Sequence, residues 1–296
     1  MAQLYDLVFA GNIVLDEIHP FEGPAQRNCG GPVQFGAMAA LCCGKKIAIV
    51  TKVAERDAHG LDLMRDKGIA VHASFSRETT FHSVIHLTAD VDEREMVLQR
   101  SAGAFSVDEF LEIEPTLLHL AGLNDQEFTL DFVRDINEKG FAVSVDMQGF
   151  VRKVDPQTGR TRLSDVAGKR EIVSLAQRVK LDVVEAEYLT GTADLEQAAI
   201  QFERWGASET MVTRADGVLV RHQGKTYFES FSNTNSTGRT GRGDTTFGAY
   251  LARRLDHDVE ESLKFAAALA SIKMESPGAF AGTLDQVLDR VRTHHQ

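Results

Sequence analysis

The stretch TGRTGRGDTTFGAYLARRL, Thr237 to Leu255, sets Gly238, Gly241 and Gly243, interleaved with Arg239 and Arg242, directly before Asp244 and an amphipathic helical pattern. A helix start gathers unpaired N–H groups and the positive end of the helix dipole, so it attracts anions. Glycines let a ligand come close to that backbone. Aspartate is also a good N-cap and needs no ligand to explain it there. A cap requires one flexible residue, however, and three glycines precede this carboxylate. The pattern therefore points to a site for an anionic group with Asp244 aimed into it.

The elements that would hold such a site are read from short apolar runs. LYDLVFAG, KIAIVTKV, FAVSVDMQ, VKLDVV and SETMVTRA have the length and composition of buried strands. Between several of them lie helical patterns, GGPVQFGAMAALCCG, FTLDFVRDINEKG and DLEQAAIQFERWG, each ended by a glycine suited to a C-cap. Alternating strand and helix predict an α/β fold with a mostly parallel sheet covered on both faces. From Val71 to Arg100 polar and apolar residues alternate, with the DVDE run at 90–93 as a hairpin turn. This predicts antiparallel strands forming a small lid over the main core.

Composition narrows the class of protein. The 296 residues, 43% of them hydrophobic, suffice for one large domain with a sizeable core. Lys and Arg number 32 against 43 Asp and Glu, a net charge of −11, which opposes non-specific binding to nucleic acid or to an anionic membrane. Any anion must be met by a local site. The three cysteines, Cys29, Cys42 and Cys43, lack metal-ligand spacing and include an adjacent pair, as expected in a reducing compartment. With no signal-peptide pattern and no long apolar run, a cytoplasmic protein is expected. Neither a P-loop nor a dinucleotide fingerprint is present.

The run TGRGDTTFGAY resembles the carboxy-terminal signature of the ribokinase-like (PfkB) carbohydrate kinases, in which a Gly-Ala-Gly run precedes Asp. The resemblance implies a ribokinase-like fold, ATP as donor, Mg²⁺, and an acceptor hydroxyl on a small sugar or polyol. It makes Asp244 the base that takes the hydroxyl proton, with the backbone of Gly241, Arg242 and Gly243 as the anion hole. Phosphoryl transfer needs chiefly positioning, charge neutralisation and such a base. DVVEAEYLTG is similar to the family's Asn-x-x-Glu segment, so Glu185 would serve the metal. Asp182 stands where Asn is usual, beside the donor phosphates. AGNIVLDEI matches the first strand and assigns Asp16 to the acceptor hydroxyls, a task suited to a carboxylate. CGGPVQFGAMAAL matches the di-glycine segment and adds Gly30 and Gly31. Phe35 replaces a usual Asn there, with Gln34 as the substitute polar contact. VTRADGVLV is similar to the nucleotide-side strand and turn, which implicates Thr213 and Gly217. VDMQGFVR places Asp146 and Arg152 at a strand end, near the phosphates or the acceptor.

These readings combine into a single domain over residues 1–296 with a lid formed from about 13–33 and 71–101. The expected activity is ATP-dependent phosphorylation of a small polyhydroxy substrate, without nucleic-acid or membrane partners, and with homodimer contact through the lid. Two alternatives stand beside it: a nucleoside kinase, with Phe35 against a base, and a non-catalytic sugar-binding regulatory protein. Within the opening stretch, Arg242 is expected to reach donor or acceptor phosphate, and Arg239, outside the tight loop, to matter little.

Overall fold

The computed structural model describes residues 2–88 and 94–295; the expected DVDE turn lies outside them. In chain order the elements are β1 (Gln3–Ala10), β2 (Val14–His19), β3 (Gln26–Gly30), α1 (Pro32–Leu41), β4 (Ile47–Val53), α2 (Asp62–Asp66), β5 (Ala70–Phe75), β6 (Thr80–His86), β7 (Arg94–Arg100), β8 (Ile113–Leu120), α3 (Leu130–Glu138), β9 (Val143–Asp146), α4 (Gln148–Val151), β10 (Arg152–Val154), β11 (Thr161–Leu163), α5 (Lys169–Leu175), β12 (Arg178–Asp182), α6 (Val183–Thr190), α7 (Leu195–Arg204), β13 (Glu209–Thr213), β14 (Gly217–His222), β15 (Lys225–Ser230), α8 (Arg242–Arg253), α9 (Val259–Met274) and α10 (Leu284–His294).

Nine strands form one sheet in the order β15-β14-β13-β12-β9-β8-β1-β4-β5. From β13 to β5 the neighbours run parallel, and β14 and β15 add an antiparallel edge. Both faces are buried, so the strands read as continuous apolar runs rather than alternations. Along β1, Val8 and Ala10 enter the core packed with Phe132 and Ile136 of α3 and Phe202 of α7. Leu7 and Phe9 enter the other core, with Ala37 of α1, Phe247 of α8 and Phe265 of α9. Period-two geometry thus feeds two hydrophobic layers from one strand.

A separate four-stranded sheet has the order β3-β2-β6-β7. The β2–β3 and β6–β7 pairs are antiparallel as expected, and the central β2–β6 pair is parallel. The predicted lid segment begins too early: Ala70–Phe75 is the edge strand of the large sheet, parallel to β4. Alternation marks a strand with unlike faces, and such a strand fits an edge of either sheet. β10 and β11 form a small hairpin. It docks on β7, where the Leu98 N–H donates to the Gly159 carbonyl at 2.8 Å.

Candidate active site

The N-cap of α8 is Gly241, with φ of 75°. That left-handed backbone suits glycine, and a Cβ there would sit 2.4 Å from the Phe35 ring. Arg242, Gly243 and Asp244 form the first helical turn, whose N–H groups lack intrahelical acceptors. Phe35, expected to offer an aromatic face to a nucleoside base, instead packs on this turn.

Beneath the turn lies a residue that the sequence reading passed over. Lys180, inside β12, is 4% exposed. Its Nζ donates to Asp146 Oδ2 at 2.7 Å and stands 3.5 Å from Asp244 Oδ1. It also lies under Gly243, whose Cβ would fall 3.1 Å from the ammonium. Burial works against the charged ammonium, but Asp146, Asp244 and Glu185 outweigh it and hold the Lys180 pKa above the usual lysine range. Asp146, expected near phosphate or acceptor, is buried among Lys180 and the Gln148 N–H and orients the lysine. A lysine within the apolar run VKLDVV was the available signal.

On one side of this centre, Asp182 and Glu185 form a reciprocal cap at the start of α6. Asp182 Oδ1 accepts from the N–H groups of Val184 and Glu185, each at 2.9 Å, and Glu185 Oε2 accepts from the Asp182 N–H at 2.9 Å. Glu185 Oε1 accepts from Arg152 at 3.1 Å. Burial raises the Glu185 pKa, reinforced by the Asp182 charge and opposed by Arg152 and Lys180. Around this cap opens a cavity of about 420 Å³. Thr213 lines it, as do Arg94 of β7, Arg152, Arg162 of β11, Arg214, Arg239 and Arg242. Arg239 therefore faces the same cavity as Arg242, contrary to expectation. Arg242 also donates to the Ala215 carbonyl at 3.3 Å and lies 5.8 Å from the Phe231 ring centre. Gly217 is absent from the lining residues; its missing Cβ is required by the Phe228 ring, 2.6 Å away, so the glycine serves sheet packing.

On the other side, the di-glycine segment leads into α1. A Cβ at Gly30 would lie 3.8 Å from Phe35 and 3.9 Å from Gln34, and one at Gly31 would lie 3.1 Å from the Asn12 carbonyl. Gln34 is buried. Asp16 on β2 lies opposite His82 of β6 in the pairing register, with Asp16 Oδ1 3.9 Å from His82 Nδ1. Burial raises the Asp16 pKa to about 6, against the lowering effect of Arg94. Burial, with Arg152, drives that of His82 down to about 4, so the imidazole is neutral at neutral pH. His82 Nε2 lies 3.4 Å from Asn124 Nδ2, and His82 Nδ1 has no hydrogen-bond partner among the described residues. A buried, unpaired ring nitrogen beside a carboxylate can meet an incoming hydroxyl. Behind them the buried Glu127 carboxylate accepts from the Asn12 and Leu123 N–H groups at 2.9 and 2.8 Å, tying the loop after β1 to the loop after β8.

A carboxylate and an ammonium meet at a glycine-rich helix start, between an arginine-lined cavity and the small sheet that carries Asp16 and His82, an arrangement suited to phosphoryl transfer. The chain matches the model of the pfkB family carbohydrate kinases over residues 25–286 and belongs to that family. It is 27% identical over 207 residues to the 2-dehydro-3-deoxygalactonokinase of Haloferax volcanii, a match covering 69% of this chain and 61% of that one, so it spans less than two thirds of that relative. A pyrophosphate-dependent kinase of the ribokinase family, solved with a pyrophosphate analogue and myo-inositol, superposes with a TM-score of 0.87 at 29% identity, covering 96% of this chain and 99% of that one. Arabidopsis thaliana ribokinase, solved with ribose and ATP, shares the fold at a TM-score of 0.74 and 20% identity, with 99% of both chains covered. No helix among the described residues is long and apolar enough to cross a membrane.

Proposed function

We propose that the protein transfers a phosphoryl group to a hydroxyl of a small sugar or polyol. The observation that carries this reading is the placement of Asp244 and Lys180 between the two halves of the site, 3.5 Å apart. The acceptor lies under the four-stranded sheet, with its hydroxyls on Asp16, His82 and Gln34 and its backbone approach at Gly30 and Gly31. Asp244 accepts the proton of the attacking hydroxyl. The Gly241 and Gly243 N–H groups face the charge that develops on the transferred group, while the Arg242 N–H donates to the Arg239 carbonyl at 3.0 Å and holds the turn. Lys180 keeps the floor of this turn positive, and Asp146 fixes its ammonium. The four-stranded sheet closes over the acceptor to exclude water, and its edge strand β3 is where two copies would meet, since the β10–β11 hairpin covers β7.

The donor binds in the arginine-lined cavity. ATP is the donor expected of the family and presents the same polyphosphate as pyrophosphate. Six arginines facing one cavity favour pyrophosphate, because guanidinium forks recognise phosphate oxygens. The neighbour that uses pyrophosphate is also the more similar in sequence. Mg²⁺ suits this wall as well: Asp182 and Glu185 place two carboxylates in its lining, oxygen donors of the kind such an ion takes while keeping several waters. Mg²⁺ when bound would supply neutralisation of donor charge. Phe35 packs on Gly241 at the helix start, a place that serves the transfer turn more directly than a nucleoside base.

The test is phosphoryl transfer by the purified protein with ATP or pyrophosphate as donor, across myo-inositol, hexoses, pentoses and nucleosides. A phosphorylated polyol or sugar, formed faster from pyrophosphate, is the expected result. No transfer from either donor to any acceptor would overturn the activity, and a strong preference for ATP would overturn the donor assignment alone.

A further inference from the structure

Lys273 stands in the last turn of α9 and is 3% exposed. Among the described residues it joins no ion pair with a carboxylate, although a buried ammonium ordinarily requires one. Its Nζ donates instead to the backbone carbonyls of Gly238 and Thr240. It also lies 4.9 Å from the centre of the Phe35 ring. Phe35 is the side chain that packs on Gly241. The three contacts of this ammonium thus surround the few residues that lead into α8.

The rest of that loop is fastened to the same helix end. The Gly238 N–H donates to the Met274 carbonyl at 2.8 Å, and the Thr237 hydroxyl donates to the Glu275 carbonyl at 3.2 Å. A Cβ on Gly238 would fall 1.8 Å from the Ser276 carbonyl oxygen, so no other residue fits. In a trans peptide the carbonyl of one residue and the N–H of the next point in opposite directions. Holding the Thr240 carbonyl on Lys273 therefore turns the Gly241 N–H away from α9, toward the start of α8.

We propose that Lys273 is a built-in cation that sets the anion hole, a positioning residue whose ammonium orients the Gly238–Thr240 backbone and adds positive potential beneath the transferring phosphoryl group. The proposal rests on the kinase reading. It accounts for a charged group kept in the interior where no carboxylate among the described residues pairs with it, because two carbonyl dipoles and an aromatic face hold the charge instead. Burial lowers the Lys273 pKa to about 8, with Asp244 opposing. The charged groups on the surrounding elements are Asp244 on α8, Glu275 beyond α9, which is occupied by Arg290 and Thr234, and Arg239 and Arg242, which face the donor cavity.

Lys273→Met keeps the length of the side chain and removes the charge. The expected result is a kcat at least 10-fold lower, with the acceptor KM within twofold of the parent. Ammonium chloride should restore part of the rate where sodium chloride at equal ionic strength does not, and Lys273→Arg should retain more activity than the Met variant. Hydrogen exchange over 236–243 should quicken in Lys273→Met, with the rest of the chain unchanged, a readout that stands even if no acceptor or donor is turned over. Should the variant not fold, the parent's kcat should fall through a single ionisation as pH rises past about 8. A kcat within twofold of the parent for Lys273→Met, a lowered kcat with unchanged loop exchange, or a parent rate flat from pH 7 to 10 would each overturn the proposal.

Discussion

Asp244 and Lys180 divide the chemistry between them, and substitution separates their roles. Asp244→Asn preserves shape and removes the proton acceptor, so kcat should fall by about 10²–10⁴ while the donor still binds. Calorimetric titration with pyrophosphate beside steady-state rates checks both halves, and a variant keeping half its rate would remove Asp244 from the mechanism. Lys180 is a structural as well as an electrostatic element, because its partner Asp146 is 1% exposed. Lys180→Met leaves that carboxylate buried and unpaired, which costs about 3–5 kcal/mol. Denaturant unfolding should show this loss, and Asp146→Asn combined with it should recover part of the stability. The double variant would remain slow, since the ammonium 3.5 Å from Asp244 would be gone.

The elements around the site differ in how firmly they are held. β1, β8 and β9 lie in the middle of the large sheet, buried on both faces, and they fix the floor of the site. The sheet β3-β2-β6-β7 carries Asp16 and His82, ends at β3 on one side and meets the β10–β11 hairpin at β7 on the other. Side chains on such a sheet can complete the site only when it closes on substrate. Acceptor binding should therefore slow hydrogen exchange in Val14–His19 and Thr80–His86 more than in Gln3–Ala10. Equal exchange with and without a turned-over acceptor would make this sheet a fixed platform. The β10–β11 hairpin joins the two regions: it docks on β7 through Gly159 and brings Arg152 and Arg162 to the donor cavity.

At the scale of the whole molecule, a protein of net charge −11 must draw a polyphosphate into one local positive site. The arginines come from β7, the β10–β11 hairpin, the turn after β13, the loop before α8 and the first turn of α8, so the positive field exists only in the folded chain. Arg239→Ala and Arg242→Ala should each raise the donor KM by roughly 10-fold, the loss of one charge-assisted pair, and leave the acceptor KM unchanged. Rising ionic strength should weaken the parent's donor affinity more than that of either variant. Donor KM values within twofold of the parent for both variants would place the polyphosphate elsewhere.

The sequence by itself determined what is local. A glycine-rich turn before Asp244 needs only neighbouring residues to become a helix start, and Asp182 with Glu185 forms its cap within four positions, so both were legible. The parallel sheet was legible because strands buried on two faces must be continuous apolar runs. β8 escaped notice because Pro115 interrupts its pattern and a proline speaks against a central strand. Only the tertiary structure decided the rest. Lys180 meets Asp244 across 64 positions, and Lys273 reaches carbonyls more than 30 positions before it, contacts that no periodicity encodes. Six arginines scattered from 94 to 242 read singly as surface charges. The fold makes them one site by bringing their separate elements to a common cavity.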